Sequence, residues 1–189
     1  MTAPATIKGC SPYALARLVV ERAESELAAS RAGVPGRVGV VPDKPPFEFC
    51  AQLWALVTGI GPRPAQSQRA ATVAACAQEW RVTITVGVYR CEPVTNQNRP
   101  QDAPSVVALD SGARDLLDDA EALRRAILSA DWDLVDVNKA AVTIGQMRTV
   151  GRSGGGFGVE WDLIVDTELG RYADEAVPML PGDPRTPKG

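Results

Sequence analysis

The sequence predicts an α+β fold: a mostly antiparallel sheet with two helices packed on one face, extended loops and a C-terminal arm. Three observations carry this. Two segments have helical periodicity, several strand-like runs alternate apolar and polar residues, and the helices and strands do not interleave as a parallel βαβ series would require. The clearest alternation is Val159, Trp161, Leu163 and Val165 against Glu160, Asp162 and Asp166, the pattern of a strand with one face on a core. A second strand, Trp80–Cys91, places Val82, Ile84, Val86 and Val88 on one side and Thr83, Thr85 and Tyr89 on the other.

Taken in order, residues 1–10 read as a flexible leader. Ser11-Pro12 starts a helix, with serine as N-cap and proline where its missing N–H costs nothing. That helix is expected to run to Arg31 or Ala32, with Gly33 as the left-handed stop and Leu15, Leu18, Val19, Arg22 and Glu26 on a shared face. Arg37–Val41 is a short strand, Pro42–Pro46 a loop, and Cys50–Thr58 a second strand. Gly59–Ala71 reads as a loop because of Gly61-Pro62-Arg63-Pro64, and Thr72–Gln78 as a short helix or turn. After the Trp80–Cys91 strand, Glu92–Ser105 is a polar loop.

The second helix is expected over Ser111–Ala130, with Leu116, Ala120, Leu123 and Ile127 as its stripe, flanked by Leu117 and Leu128, and with Trp132 and Leu134 closing its end. Its acidic residues take the wet side. Strands near Ala140–Val150 and Gly158–Thr167 form a hairpin through a glycine tip, Gly151–Gly158. Residues 11–169 make one domain, and 170–189 a proline-rich arm ordered only against another chain.

Composition narrows the chemistry. With 45% hydrophobic residues among 189, the chain can bury a core. A formal charge of −3 argues against a dedicated nucleic-acid surface. Histidine is absent, which excludes imidazole ligands, histidine general bases and the histidine-dependent triads and dyads. The four cysteines (Cys10, Cys50, Cys76, Cys91) are far apart with no Cys-x-x-Cys pair, so no zinc site is expected. The first residues lack the apolar core of a signal peptide. The expectation is therefore cytoplasmic synthesis, with the cysteines as reduced, small apolar residues. No apolar run approaches the ~20 residues of a membrane span.

The glycine tip lacks the Gly-Lys-Ser/Thr ending of a phosphate loop and joins two strands. Glu160 and Asp162 sit about 7 Å apart on one strand face, without a helper base. Asp115, Asp118, Asp119 and Glu121, with Asp131, Asp133 and Asp136 beyond them, line a helix beside arginines rather than converging as hard-cation ligands do. No catalytic, cofactor or metal residues are assigned, and the chain is expected not to be an enzyme.

Pro35-Gly36-Arg37-Val38-Gly39-Val40-Val41-Pro42, Cys50-Ala51-Gln52-Leu53-Trp54, Trp80 through Pro93, and the glycine tip running into Val159-Glu160-Trp161 together resemble the small neck proteins of actinobacterial tailed phages. Within that group the closest likeness is to the tail terminator of long-tailed phages, over roughly residues 11–167. The resemblance implies a homohexameric ring that caps the tail tube and meets the stopper or connector at the head, with genomic DNA passing through the lumen without specific binding. It places the protein in the virion, with no membrane partner and no cofactor. On this reading Arg152, Gly154, Gly155, Gly156, Phe157, Glu160 and Asp162 are interaction residues, and Asp115, Asp118, Asp119 and Glu121 face the lumen. The alternative is a stopper or connector of the same neck, and more remotely a small hydrolase or nucleotide-binding enzyme.

Overall fold

A computed structural model describes residues 10–46, 51–63, 79–91, 104–153 and 156–169. Their order is α1 (Pro12–Leu27), β1 (Arg37–Val40), β2 (Gln52–Pro62), β3 (Trp80–Cys91), α2 (Val106–Ser129), β4 (Val142–Ser153) and β5 (Gly156–Thr167), with 3₁₀ turns at Trp132–Val135 and Lys139–Ala141. The five strands form one sheet in the order β1-β2-β3-β5-β4. Only the β1–β2 pair is parallel. Both helices pack on the same face, α1 against β1, β2 and β3, and α2 against α1 and β5. The α+β architecture anticipated from alternation and helical periodicity is the one observed. No helix among the described residues is long and apolar enough to cross a membrane.

The core lies between the helices and one side of the sheet. Val82, Ile84, Val86 and Val88 of β3 and Val159, Leu163 and Val165 of β5 are fully buried there with Leu53 and Ala55. α1 adds Leu15, Ala16, Val19, Val20, Ala23 and Leu27, a stripe rotated from the one read in the sequence and extending to the helix end. Ala16 and Ala23 are buried on this stripe, while Arg22 and Glu26 reach α2 by hydrogen bonds with Ser129 and Arg125, and Leu18 packs at the margin of the core. α1 ends at Leu27, short of Arg31, and the chain turns through Gly33 at φ 67°.

α2 begins at Val106, five residues before the expected Ser111, because the Ser105 hydroxyl accepts a hydrogen bond from the Ala108 amide at 3.2 Å. Trp132 does close its end, buried and donating from Nε1 to the Ile127 carbonyl, whereas Leu134 is exposed.

β2 continues to Pro62, so Gly59–Pro62 is strand and not loop. β1 pairs only with residues 52–55, which leaves the far half of β2 as a sheet edge where proline lacks no partner. Residues 64–71 of that loop and the segment 72–78 lie outside the described residues, as do 1–9, 47–50 (with Cys50, the expected start of the second strand), 92–103 and 170–189.

Cys10 is buried and bridges to Leu169, so it belongs to the domain rather than to the leader. Its thiol is free, and burial pushes it up to about 11. Cys91, at the exposed end of β3, is disulfide-bonded, which corrects the expectation of a reduced thiol there.

Candidate functional site on the sheet face away from the helices

Alternation on β3 and β5 sends a second set of side chains to the face opposite the helices, and the antiparallel register stacks them into rows. In one row Gly39, Trp54, Gly87, Glu160 and Arg148 lie side by side across all five strands. Glycine at 87 is required: a Cβ there would stand 2.6 Å from the Trp54 ring and 3.1 Å from Glu160 Cγ. Trp54 meets Tyr89 edge to face with ring centroids 5.4 Å apart.

Glu160 was expected to face water or a partner, yet it is only 1% exposed. Its charge is matched inside the chain. The Tyr89 hydroxyl donates to Oε1 at 2.6 Å, Lys44 Nζ lies 2.8 Å from the same oxygen, and Arg148 Nη2 lies 3.8 Å from Oε2. Burial, then the Glu160 carboxylate, hold the Tyr89 hydroxyl well above its ordinary pKa, so it stays a donor. Asp162 accepts from Thr85 Oγ1 at 2.7 Å and from Arg148 Nη2 at 2.8 Å. Further along, Arg81 grips Asp166 with two bonds of 2.8 and 2.9 Å, and Arg63 Nε sits 3.3 Å away. These hydrogen bonds hold the Asp166 carboxyl below the usual aspartate range. The face is thus a ladder of matched ion pairs that fixes strand register.

The glycine tip is shorter than expected. β4 runs to Ser153 and pairs it with Gly156, so Gly151, Arg152, Gly156 and Gly158 are strand positions, while Gly154 and Gly155 lie outside the described residues. Phe157 lies on the helix side, where a Cβ built on Gly112 of α2 would stand 3.6 Å from its ring. It is therefore a partly buried packing residue and not a displayed one.

The acidic residues of α2 do not share one wet face. Asp119 is buried and bound by Arg90 through Nε and Nη2, both at 2.8 Å, and the same guanidinium donates to the Ala32 and Gly33 carbonyls. This corrects its placement toward a lumen: through Arg90, Asp119 ties α2 and β3 to the turn that follows α1. Asp118 accepts from the Arg31 amide at 2.9 Å, and Asp115 lies 3.4 Å from the Arg31 guanidinium. Glu121 pairs with Arg124, at 2.7 and 2.8 Å. Asp115, Asp119 and Glu121 each lie beside an arginine while Asp118 accepts from a backbone amide, and among the described residues no group of three or more His, Cys, Asp or Glu is placed to hold a metal ion.

Sequence reasoning missed Lys44, Tyr89 and Arg148 as partners of Glu160, because their convergence depends on register and not on spacing along the chain. The signal for Arg90 was its place on the apolar side of an alternating strand, where a charge needs a buried partner. Comparison of the chain with protein-family models and with curated protein sequences finds no match.

Proposed function

We propose that this chain is a structural neck protein of a long-tailed phage, a tail terminator whose copies form a ring capping the tail tube and joining it to the head connector. The observation that carries an assembly role is an apolar stripe on the first half of α2. Val106, Leu109, Ala113 and Leu117 recur at helical spacing and are all exposed, Val106 at 81% and Leu117 at 61%. Large apolar side chains on one outward helical face mark contact surfaces. The next copy in the ring is the proposed occupant. The resemblance of residues 37–41, 50–58, 80–93 and 151–165 to phage neck proteins supplies the slot, and the α+β architecture agrees with it. In this role the matched ion pairs keep the sheet rigid, and the virion is the place of action.

The test is binding of the purified chain to preformed tail tubes, read by negative-stain microscopy. Rings at one end of tubes of fixed length are expected. Binding only to filled heads or connectors moves the protein to the stopper position, and binding to neither overturns the neck assignment.

A further inference from the structure

Parallel β1 and β2 are neighbours, so the chain between them must travel back across one face of the sheet. The helices occupy the other face, and Lys44 shows the route taken. Its ammonium reaches Glu160 on β5, three strand spacings from β1, or about 14 Å across the sheet. The chain then returns toward β2, where Gln52 Nε2 donates to the Pro46 carbonyl at 3.2 Å. Trp54 and Gly87 lie in the same row as Glu160, beneath this crossing, and Trp54 is only 1% exposed.

Two features distinguish the crossing from ordinary packing. Pro42, Pro45 and Pro46 leave the segment few backbone donors and make it stiff. The Trp54 Nε1–H beneath it is buried with no hydrogen-bond partner. An unpartnered buried donor is satisfied as soon as water arrives, so opening is favoured at this point by what closing leaves unmade. Lys44 is itself 48% exposed on its side chain and is the close cation on Glu160, with Arg148 a full ångström further off.

We propose that residues 42–46 form a releasable strap over the Trp54–Tyr89 pair, latched by the Lys44–Glu160 ion pair. The latch is electrostatic and reaches solvent at the lysine end, so salt loosens it. Release exposes the indole N–H and the Glu160 carboxylate together while the helix-side core stays closed. Arg148 remains near Glu160 and keeps the carboxylate partly matched during opening.

The measurement is solvent exchange of the Trp54 indole N–H by NMR, with the signal assigned through Trp54→Phe. The indoles of Trp132 and Trp161 serve as internal references, because they donate to the Ile127 and Ala120 carbonyls inside the helix-side core. Lys44→Met, which keeps the apolar stem, is expected to raise Trp54 exchange by about fivefold. Lys44→Arg is expected to restore protection, and high salt to raise exchange in the unmodified protein. Unchanged Trp54 exchange in Lys44→Met overturns the proposal, as does a rise that high salt does not reproduce in the unmodified chain. A rise shared equally by Trp132 and Trp161 also overturns it, because that is opening of the whole domain.

Discussion

At the residue scale, the charged groups of this protein are used mainly to fix neighbours. Arg90 and Asp119 illustrate the principle: removing one member would strand the other in a poorly hydrated site, so the pair specifies how α2, β3 and the turn after α1 meet. Asp166 offers a case with a defined sign. Its two bonds from Arg81 lower its pKa in the folded state relative to the unfolded chain. A depressed carboxyl contributes stability that is present above the unfolded aspartate value, about 4, and lost as pH falls through the folded value. Asp166→Asn is therefore expected to cost about 1 kcal/mol near neutrality, the scale of a partly exposed pair. The deficit should shrink toward zero as pH falls below the unfolded aspartate range and on through the lower folded value, where the native carboxyl is also protonated. Urea unfolding across a pH series checks this, and a deficit independent of pH would show that packing, not charge, is what Asp166 supplies.

At the element scale, strands were more legible than their ends or their partners. β3 has the bounds read in the sequence, because the alternation from Trp80 to Val88, carried on by Tyr89-Arg90-Cys91, leaves little choice. α2 was read too short: Val106 and Val107 are β-branched, and Asp110-Ser111-Gly112 looks like a break, yet the Ser105 cap starts the helix ahead of them. The ion-pair ladder was not legible at all, since which residues oppose each other on β3 and β5 is a property of register. The glycines were half legible. Gly158 was read as the point where the glycine tip meets its strand, and a Cβ there would stand 2.4 Å from the Tyr89 ring and 2.5 Å from the Val88 carbonyl oxygen. A side chain end can swing away, but a backbone oxygen in a central ladder cannot. Gly158→Ala is thus expected to destabilise by about 3 kcal/mol, measured by thermal or urea unfolding. Gly39→Ala, on the edge strand with nothing within 4 Å of its Cβ, should fall within about 0.5 kcal/mol of the parent.

At the scale of the whole molecule, the two sides of the chain answer different needs. The sheet face away from the helices is internally satisfied, with Glu160, Asp162 and Asp166 each holding cations of the same chain. The outward side of α2 differs: among the described residues its apolar stripe stays largely exposed, so it adds little to the fold through burial. A charge placed there tests assembly without testing folding. Leu117→Asp should leave the unfolding midpoint nearly unchanged, because the side chain is mostly exposed and substitutions at such positions usually stay within about 0.5 kcal/mol. In a ring the same charge would enter a subunit contact and be desolvated, at a cost of several kcal/mol repeated at every interface. Capping of tail tubes should accordingly be lost while the monomer remains folded, with sedimentation and circular dichroism reporting the two properties separately. Capping that survives Leu117→Asp would remove α2 from the subunit contact. The copies would then have to meet through the sheet edges, β1 on one side and β4 on the other, where backbone groups and not side chains supply the interface.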